Sequence, residues 1–215
     1  MSLHLYGYWR SSASWRVRIA LALKGLDFES RPVHLARDGG EQHGAHYRAA
    51  NPEGLVPMLD DGGFRLSQSL AICEYLDAVY PEPPLLPSDP RQAATVRSIC
   101  QVIACDTHPL NNLRVLNYLE HKLDISDEDR AAWYRHWIGL SFAALEARLA
   151  NRTSRFAFGD APGLAECFLI PQMYNARRFD TPLAAYPRLT AIESACLALP
   201  AFILSHPDQQ PDKPA

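Results

Sequence analysis

The stretch "PEPPLLPSDP", with prolines at 81, 83, 84, 87 and 90, constrains this chain more than any other. Proline lacks a backbone donor and fixes φ, so neither a regular helix nor a central strand runs through such a segment. The chain is expected to divide there. Upstream, "LHLYGYW" reads as a short strand and "SASWRVRIALALKG" as a helix closed by Gly25. "FESRPVHL" reads as a second strand, and a β-α-β start favours a parallel pair. After the loop "ARDGGEQHGAHYRAANPEG", the runs "LVPML" and "FRLS" flank "DDGG" as a hairpin. "QSLAICEYLDAVYP" is then a helix with Leu70, Cys73, Leu76 and Val79 at spacings of three. Downstream, residues 95–123, 127–149, 164–178 and 185–199 carry helical period, and "SHPDQQPDKPA" reads as an irregular, partly mobile tail. The expected architecture is α/β plus all-α: a domain over residues 1–82, a Pro-rich linker over 83–89 and a helical domain over 90–215.

The 215 residues, 47% apolar and 21% charged, suffice for a sizeable core. A net charge of -3 offers nucleic acid or an anionic membrane no excess of cations, so neither is an expected partner. "MSLHLYGYW" lacks the basic and apolar regions of a secretory signal, and no apolar run reaches about 18 residues. A cytoplasmic protein is expected. Cys73, Cys100, Cys105, Cys167 and Cys196 are odd in number and lie among apolar residues at helical spacing, which predicts buried free thiols. His43 and His46 share an i, i+3 spacing without a third ligand, so no metal site is expected.

Three features carry chemistry. Ser11, Ser12 and Ala13 open a helix, where unpaired N–H groups and the macrodipole favour an anion; equally, one serine is a plain N-cap. Pro57 interrupts a strand-like run, which fits either an edge strand or a cis Val56–Pro57 bond that frees the Val56 backbone for a peptide-like ligand. Gln68 and Ser69 open another helix and form either a carboxylate pocket or another cap.

Together with "RSSASWRVRIALALKG", "NPEGLVPML", "QSLAICEYLD", "DTHPLNNLRVLNYL", "FGDAPGLAECFLIPQMYNARRF" and "HPDQQPD", this order of elements resembles the zeta class of the glutathione transferase superfamily, from Leu3 to Asp212. The resemblance implies a thioredoxin-like N-terminal domain, a helical C-terminal domain and a cytoplasmic homodimer. It also implies a glutathione-dependent cis–trans isomerase of aromatic amino acid catabolism, converting maleylacetoacetate to fumarylacetoacetate. The glutathione thiolate adds to the conjugated double bond, the resulting single bond rotates, and elimination returns the trans isomer.

Carried over to this sequence, Ser11 donates to the glutathione sulfur with Ser12 beside it, and Val56 pairs with the cysteinyl backbone. Gln68 and Ser69 hold the γ-glutamyl end, and Gln42 touches the glycyl end. His108, Asn112 and Arg114 lie toward glutathione and substrate, with Pro109 kinking their helix. A dicarboxylate diketo acid needs a cationic clamp; Arg10 and Arg178 are assigned to it, while Arg177, about 100° away from Arg178 around its helix, faces solvent.

The chain departs from the zeta pattern at Ala13, where a cysteine is usual, and at Gly163, where the usual capping residue is Ser or Thr; the helix after Gly163 is still expected. "HP-x-NN-x-R" and "ARRF" also fit a related bacterial branch that isomerises maleylpyruvate. The same fold and serine motif are further compatible with a general glutathione transferase or peroxidase, and with a non-catalytic interaction module.

Overall fold

The computed structural model describes residues 2–214. Four strands, β1 (Leu3–Gly7), β2 (Phe28–Pro32), β3 (Met58–Asp61) and β4 (Phe64–Ser67), form one sheet in the order β2-β1-β3-β4. β1 runs parallel to β2, from Leu3 opposite Phe28 to Gly7 opposite Pro32, whereas β3 and β4 are antiparallel. The β3–β4 turn is Gly62-Gly63, both at positive φ, as a tight hairpin of this hand requires. α1 (Ser12–Leu23) crosses from β1 to β2, and α3 (Ser69–Val79) follows β4 and packs against α1. This is the thioredoxin-like arrangement.

The segment read as a loop is instead largely helical: two 3-10 turns, Arg37–Gly39 and Glu41–His43, precede α2 (Ala45–Ala50). Each is too short to show a 3.6-residue period, and Gly40 and Gly44 separate them.

The chain forms two compact units, one of residues 1–86 and 197–215, the other of residues 87–196. Lys24, its side chain fully buried, donates to the Tyr80 and Pro83 carbonyls and pairs with Asp77 at 2.7 Å. Asp77 also accepts the Leu85 N–H, so the first half of the proline stretch is part of the first unit. Before the tail, α9 (Pro200–Ser205) packs on α1; within the tail, as far as residue 214, a single 3-10 turn spans Pro207–Gln209 and the rest is irregular.

The second unit contains α4 (Pro90–Gln101), α5 (Leu113–Leu123), α6 (Asp127–Leu149), α7 (Leu164–Arg178) and all but the last residue of α8 (Pro187–Leu197). Between α4 and α5, residues Val102–Thr107 form a π-helical segment followed by turns through Pro109. The extra residue per turn rotates side chains off the α-helical face. Cys105 is accordingly exposed, contrary to the expectation for it, while Cys73, Cys100, Cys167 and Cys196 are buried; no disulfide joins any of the five. Gly163 cannot cap α7 with a side chain. Glu166, 2% exposed, supplies half a capping box by accepting the Gly163 N–H at 2.8 Å, and its other oxygen accepts the Ala157 N–H at 2.8 Å. Burial raises its pKa even so. Among the described residues no helix is long and apolar enough to cross a membrane, and no cluster of His, Cys, Asp or Glu could hold a metal.

Candidate functional site

β1 ends at Gly7, and the chain turns through Tyr8, Trp9 and Arg10 into α1. Ser11 is the N-cap: its Oγ accepts the Ser14 N–H at 3.2 Å, and its own N–H donates to the Tyr8 carbonyl at 3.0 Å. The two readings of this serine are compatible. The cap uses a lone pair and stabilises the helix by about 1 kcal/mol, while the hydroxyl proton stays available to a ligand. Ser11 is half-buried, Ser12 is buried, and Arg10 is exposed with its guanidinium 5.3 Å from the Trp9 ring centroid.

Val56 and Pro57 are joined by a cis peptide bond just before β3. Val56 lies beyond the last β1–β3 register pair, Tyr6 with Met58, and packs against Val33, Tyr47 and Met58. At the start of α3, Gln68 adopts φ 70°, a left-handed conformation that costs a non-glycine residue about 1 kcal/mol or more. Its side chain donates to Glu53 at 2.6 Å rather than capping the helix. The Ser67 hydroxyl donates to the other Glu53 oxygen at 2.8 Å. Ser69 is buried, and its hydroxyl oxygen accepts from the Arg16 guanidinium at 3.2 Å. Gln42 is 6% exposed; its Nε2 donates to the Leu35 carbonyl at 3.3 Å, and its Oε1 is buried without a hydrogen-bond partner.

A circuit of contacts joins these residues. Ser11 bonds Tyr8, whose ring meets His34 at 5.1 Å. His34 exchanges hydrogen bonds with Glu41, the neighbour of Gln42. The Gln42 carbonyl approaches Gly54 so closely that a Cβ there would lie 3.1 Å from it. Next to Gly54, Glu53 holds Gln68, and Ser69 returns to α1 through Arg16. Two helix N-termini and an orphaned buried acceptor are thus linked by one chain of contacts. An acceptor buried without a partner costs about 1–3 kcal/mol, so Gln42 Oε1 fits a ligand that brings an N–H, as a small peptide does.

In the second unit, Asn112 caps α5 by accepting the Arg114 N–H at 3.1 Å, and its amide lies 3.4 Å from His108 Nε2. Neighbouring Asn111 is buried; it donates to the Tyr134 carbonyl at 3.2 Å, and its Oδ1 has no partner. The Tyr134 ring stacks on Phe179 at 3.6 Å between centroids, and Arg178 lies over that same Phe179 at 5.5 Å. Arg114 is exposed. Arg177 is paired through Nε and Nη2 with buried Glu193, which raises its pKa.

Sequence reasoning missed Glu53, Arg16 and Arg18. The signal lay in "WRVRIAL", where two arginines point to different faces of an otherwise apolar helix; both are buried, at 1% and 5% exposure. The chain's own buried thiols offer no thiolate where the pKa is perturbed: burial pushes Cys73 up to about 12 and Cys196 higher still.

Residues 1–78 match the family described as glutathione S-transferase, N-terminal domain. A probable maleylacetoacetate isomerase of Vibrio cholerae is 50% identical over 212 residues, covering 99% of both chains. A bacterial zeta-class maleylpyruvate isomerase, solved in its holo form, superposes with a TM-score of 0.95 at 43% identity, covering 98% of this chain and 100% of the other. A maleylacetoacetate isomerase of Methylobacterium extorquens AM1, solved with bound malonate and glutathione, gives a TM-score of 0.93 at 42% identity, covering 99% of this chain and 100% of the other. With likeness of this degree along its whole length, the chain belongs to the maleylacetoacetate isomerase family, within the zeta class of glutathione transferases.

Proposed function

We propose that this protein is a glutathione-dependent isomerase that converts maleylacetoacetate to fumarylacetoacetate. What supports the reading is the chain of contacts that links the starts of α1 and α3, at Ser11 and at Gln68 and Ser69, to the Gln42 segment, where one buried acceptor has no partner. Bound glutathione supplies the thiolate whose reversible addition makes the double bond rotatable.

The residues divide the remaining work. Ser11 spends a lone pair on the helix and directs its O–H at the sulfur, while the first N–H groups of α1 lower the energy of negative charge there. Each unit by which they depress the thiol pKa requires about 1.4 kcal/mol of preference for the thiolate. Ser12, buried beside Ser11, shapes the helix start. Val56 offers its backbone to the cysteinyl residue, Gln42 takes the glycyl end, and Gln68 and Ser69 take the γ-glutamyl end at the start of α3. Arg10 clamps one substrate carboxylate. From the helical unit, Arg178 takes the other, and His108, Asn112 and Arg114 supply further polar contacts. The same reading makes the protein a cytoplasmic homodimer of aromatic amino acid catabolism, acting on a small diketo acid.

One specific observation favours a second substrate. The His108–Arg114 and Ala176–Phe179 strings also fit maleylpyruvate, the substrate after which the relative at TM-score 0.95 is named. A spectrophotometric comparison of both cis diketo acids, with and without glutathione, tests the proposal. Faster turnover of maleylacetoacetate is expected, with none lacking glutathione; exclusive turnover of maleylpyruvate overturns the substrate assignment, and conjugation without isomerisation overturns the reaction.

A further inference from the structure

Between β1 and α1 the backbone belongs to no ladder and no helix, so its polar groups need partners from elsewhere. They come from the far end of the sequence. Asp212 Oδ2 accepts the Trp9 N–H at 2.8 Å, across 203 residues. Arg18, buried within α1, donates to the Trp9 carbonyl at 2.9 Å, to the Tyr8 carbonyl at 3.4 Å and to the Ser205 carbonyl at 3.2 Å. Ser205 is fixed in turn: its hydroxyl accepts from Trp15 Nε1 at 3.0 Å, and the next residue, His206, packs edge-on against the Trp15 ring at 5.1 Å. Both the N–H and the C=O of Trp9 are therefore held. The Tyr8 carbonyl takes two donors, Arg18 and the N–H of Ser11 itself.

We propose that Asp212 and Arg18 are positioning residues for Ser11, and that the segment from Ser205 to Asp212 is a strap that fixes the angle at which the Ser11 hydroxyl meets its ligand. This rests on the reading of Ser11 as the donor to the glutathione sulfur. Neither group is assigned a contact with a reacting atom; they act through the peptide units on either side of Trp9. Burial lowers the pKa of Arg18 to about 10, and Asp212 opposes that shift, so the guanidinium keeps its charge at neutral pH.

The test compares Asp212→Ala with Asp212→Asn, which retains an oxygen acceptor for Trp9. In the ligand-free protein, amide exchange over residues 8–14 is expected to accelerate in Asp212→Ala and to stay at the parental rate in Asp212→Asn. With glutathione, Asp212→Ala should titrate its bound thiol at higher pH, by ultraviolet thiolate absorbance, and lose about tenfold in kcat with little change in KM for the diketo acid, as a small misplacement can cause. Asp212→Asn should restore both. Unchanged exchange in Asp212→Ala, equal impairment of the two variants, or faster exchange with the thiol titration unmoved each overturns the proposal. If the parent protein shows no glutathione thiolate, the Ser11 reading fails, and the exchange contrast still decides whether Asp212 fixes the loop.

Discussion

The polar residues of the two units are held in different ways. In the first unit two candidates are tied to partners distant in sequence, Gln68 to Glu53 and Ser69 to Arg16, and the turn that carries Ser11 is tied through Trp9 to Asp212. In the second, His108 and Asn112 lean on each other, Asn112 caps its own helix, and Arg114 and Arg178 are exposed. A group locked by tertiary contacts presents one geometry, whereas an exposed long side chain adapts at the expense of rotamer entropy. On the proposed assignment, glutathione dependence belongs to the first unit and the choice between diketo acids to the second.

Ser11→Ala should sharpen that contrast most, lowering kcat for every diketo acid by about 100-fold or more, the scale seen when one preorganised donor is removed. Loss of the cap should cost only about 1 kcal/mol in a denaturant melt, so a variant merely unfolded is readily distinguished. Arg178→Ala should raise KM for the diketo acid about 30-fold while leaving glutathione affinity intact; equal losses for both ligands would break the division of labour. Gln42→Leu should weaken glutathione binding about tenfold by titration calorimetry, because the ligand's N–H loses its acceptor. Arg177→Ala should leave KM unchanged and reduce stability by about 1 kcal/mol, since its exposed guanidinium serves Glu193.

The smallest effect is a pH slope. Glu166 binds its proton more tightly folded than unfolded, so its contribution to stability declines as pH rises from the ordinary carboxylate value through the raised folded one. Glu166→Gln should flatten that slope in melts across this window. It should also lower stability at every pH, because the amide cannot accept two N–H groups with two oxygens.

The sequence was most legible where the signal is local. Strand, helix and Gly25 stop at the N-terminus, the Gly62-Gly63 turn and the helical period of residues 127–149 and 164–178 all follow from short-range pattern. So does the serine pair at a helix start, because an N-cap requires only its own first turn. Illegible were features whose partners lie far off. Nothing in "SHPDQQPDKPA" reveals that Trp15 and Arg18 await it, and nothing in "FRLSQS" reveals Glu53. Cys105 misled because a π-helical segment breaks the period from which its burial was expected.

The first unit is also the last to be completed. On a ribosome, β1, α1 and the hairpin emerge while residues 197–215 are still untranslated, so the Arg18 guanidinium waits without the Ser205 carbonyl and Trp9 without Asp212. The locking of the thioredoxin-like unit therefore awaits residues 205–212, made more than a hundred residues after its sheet, rather than local folding.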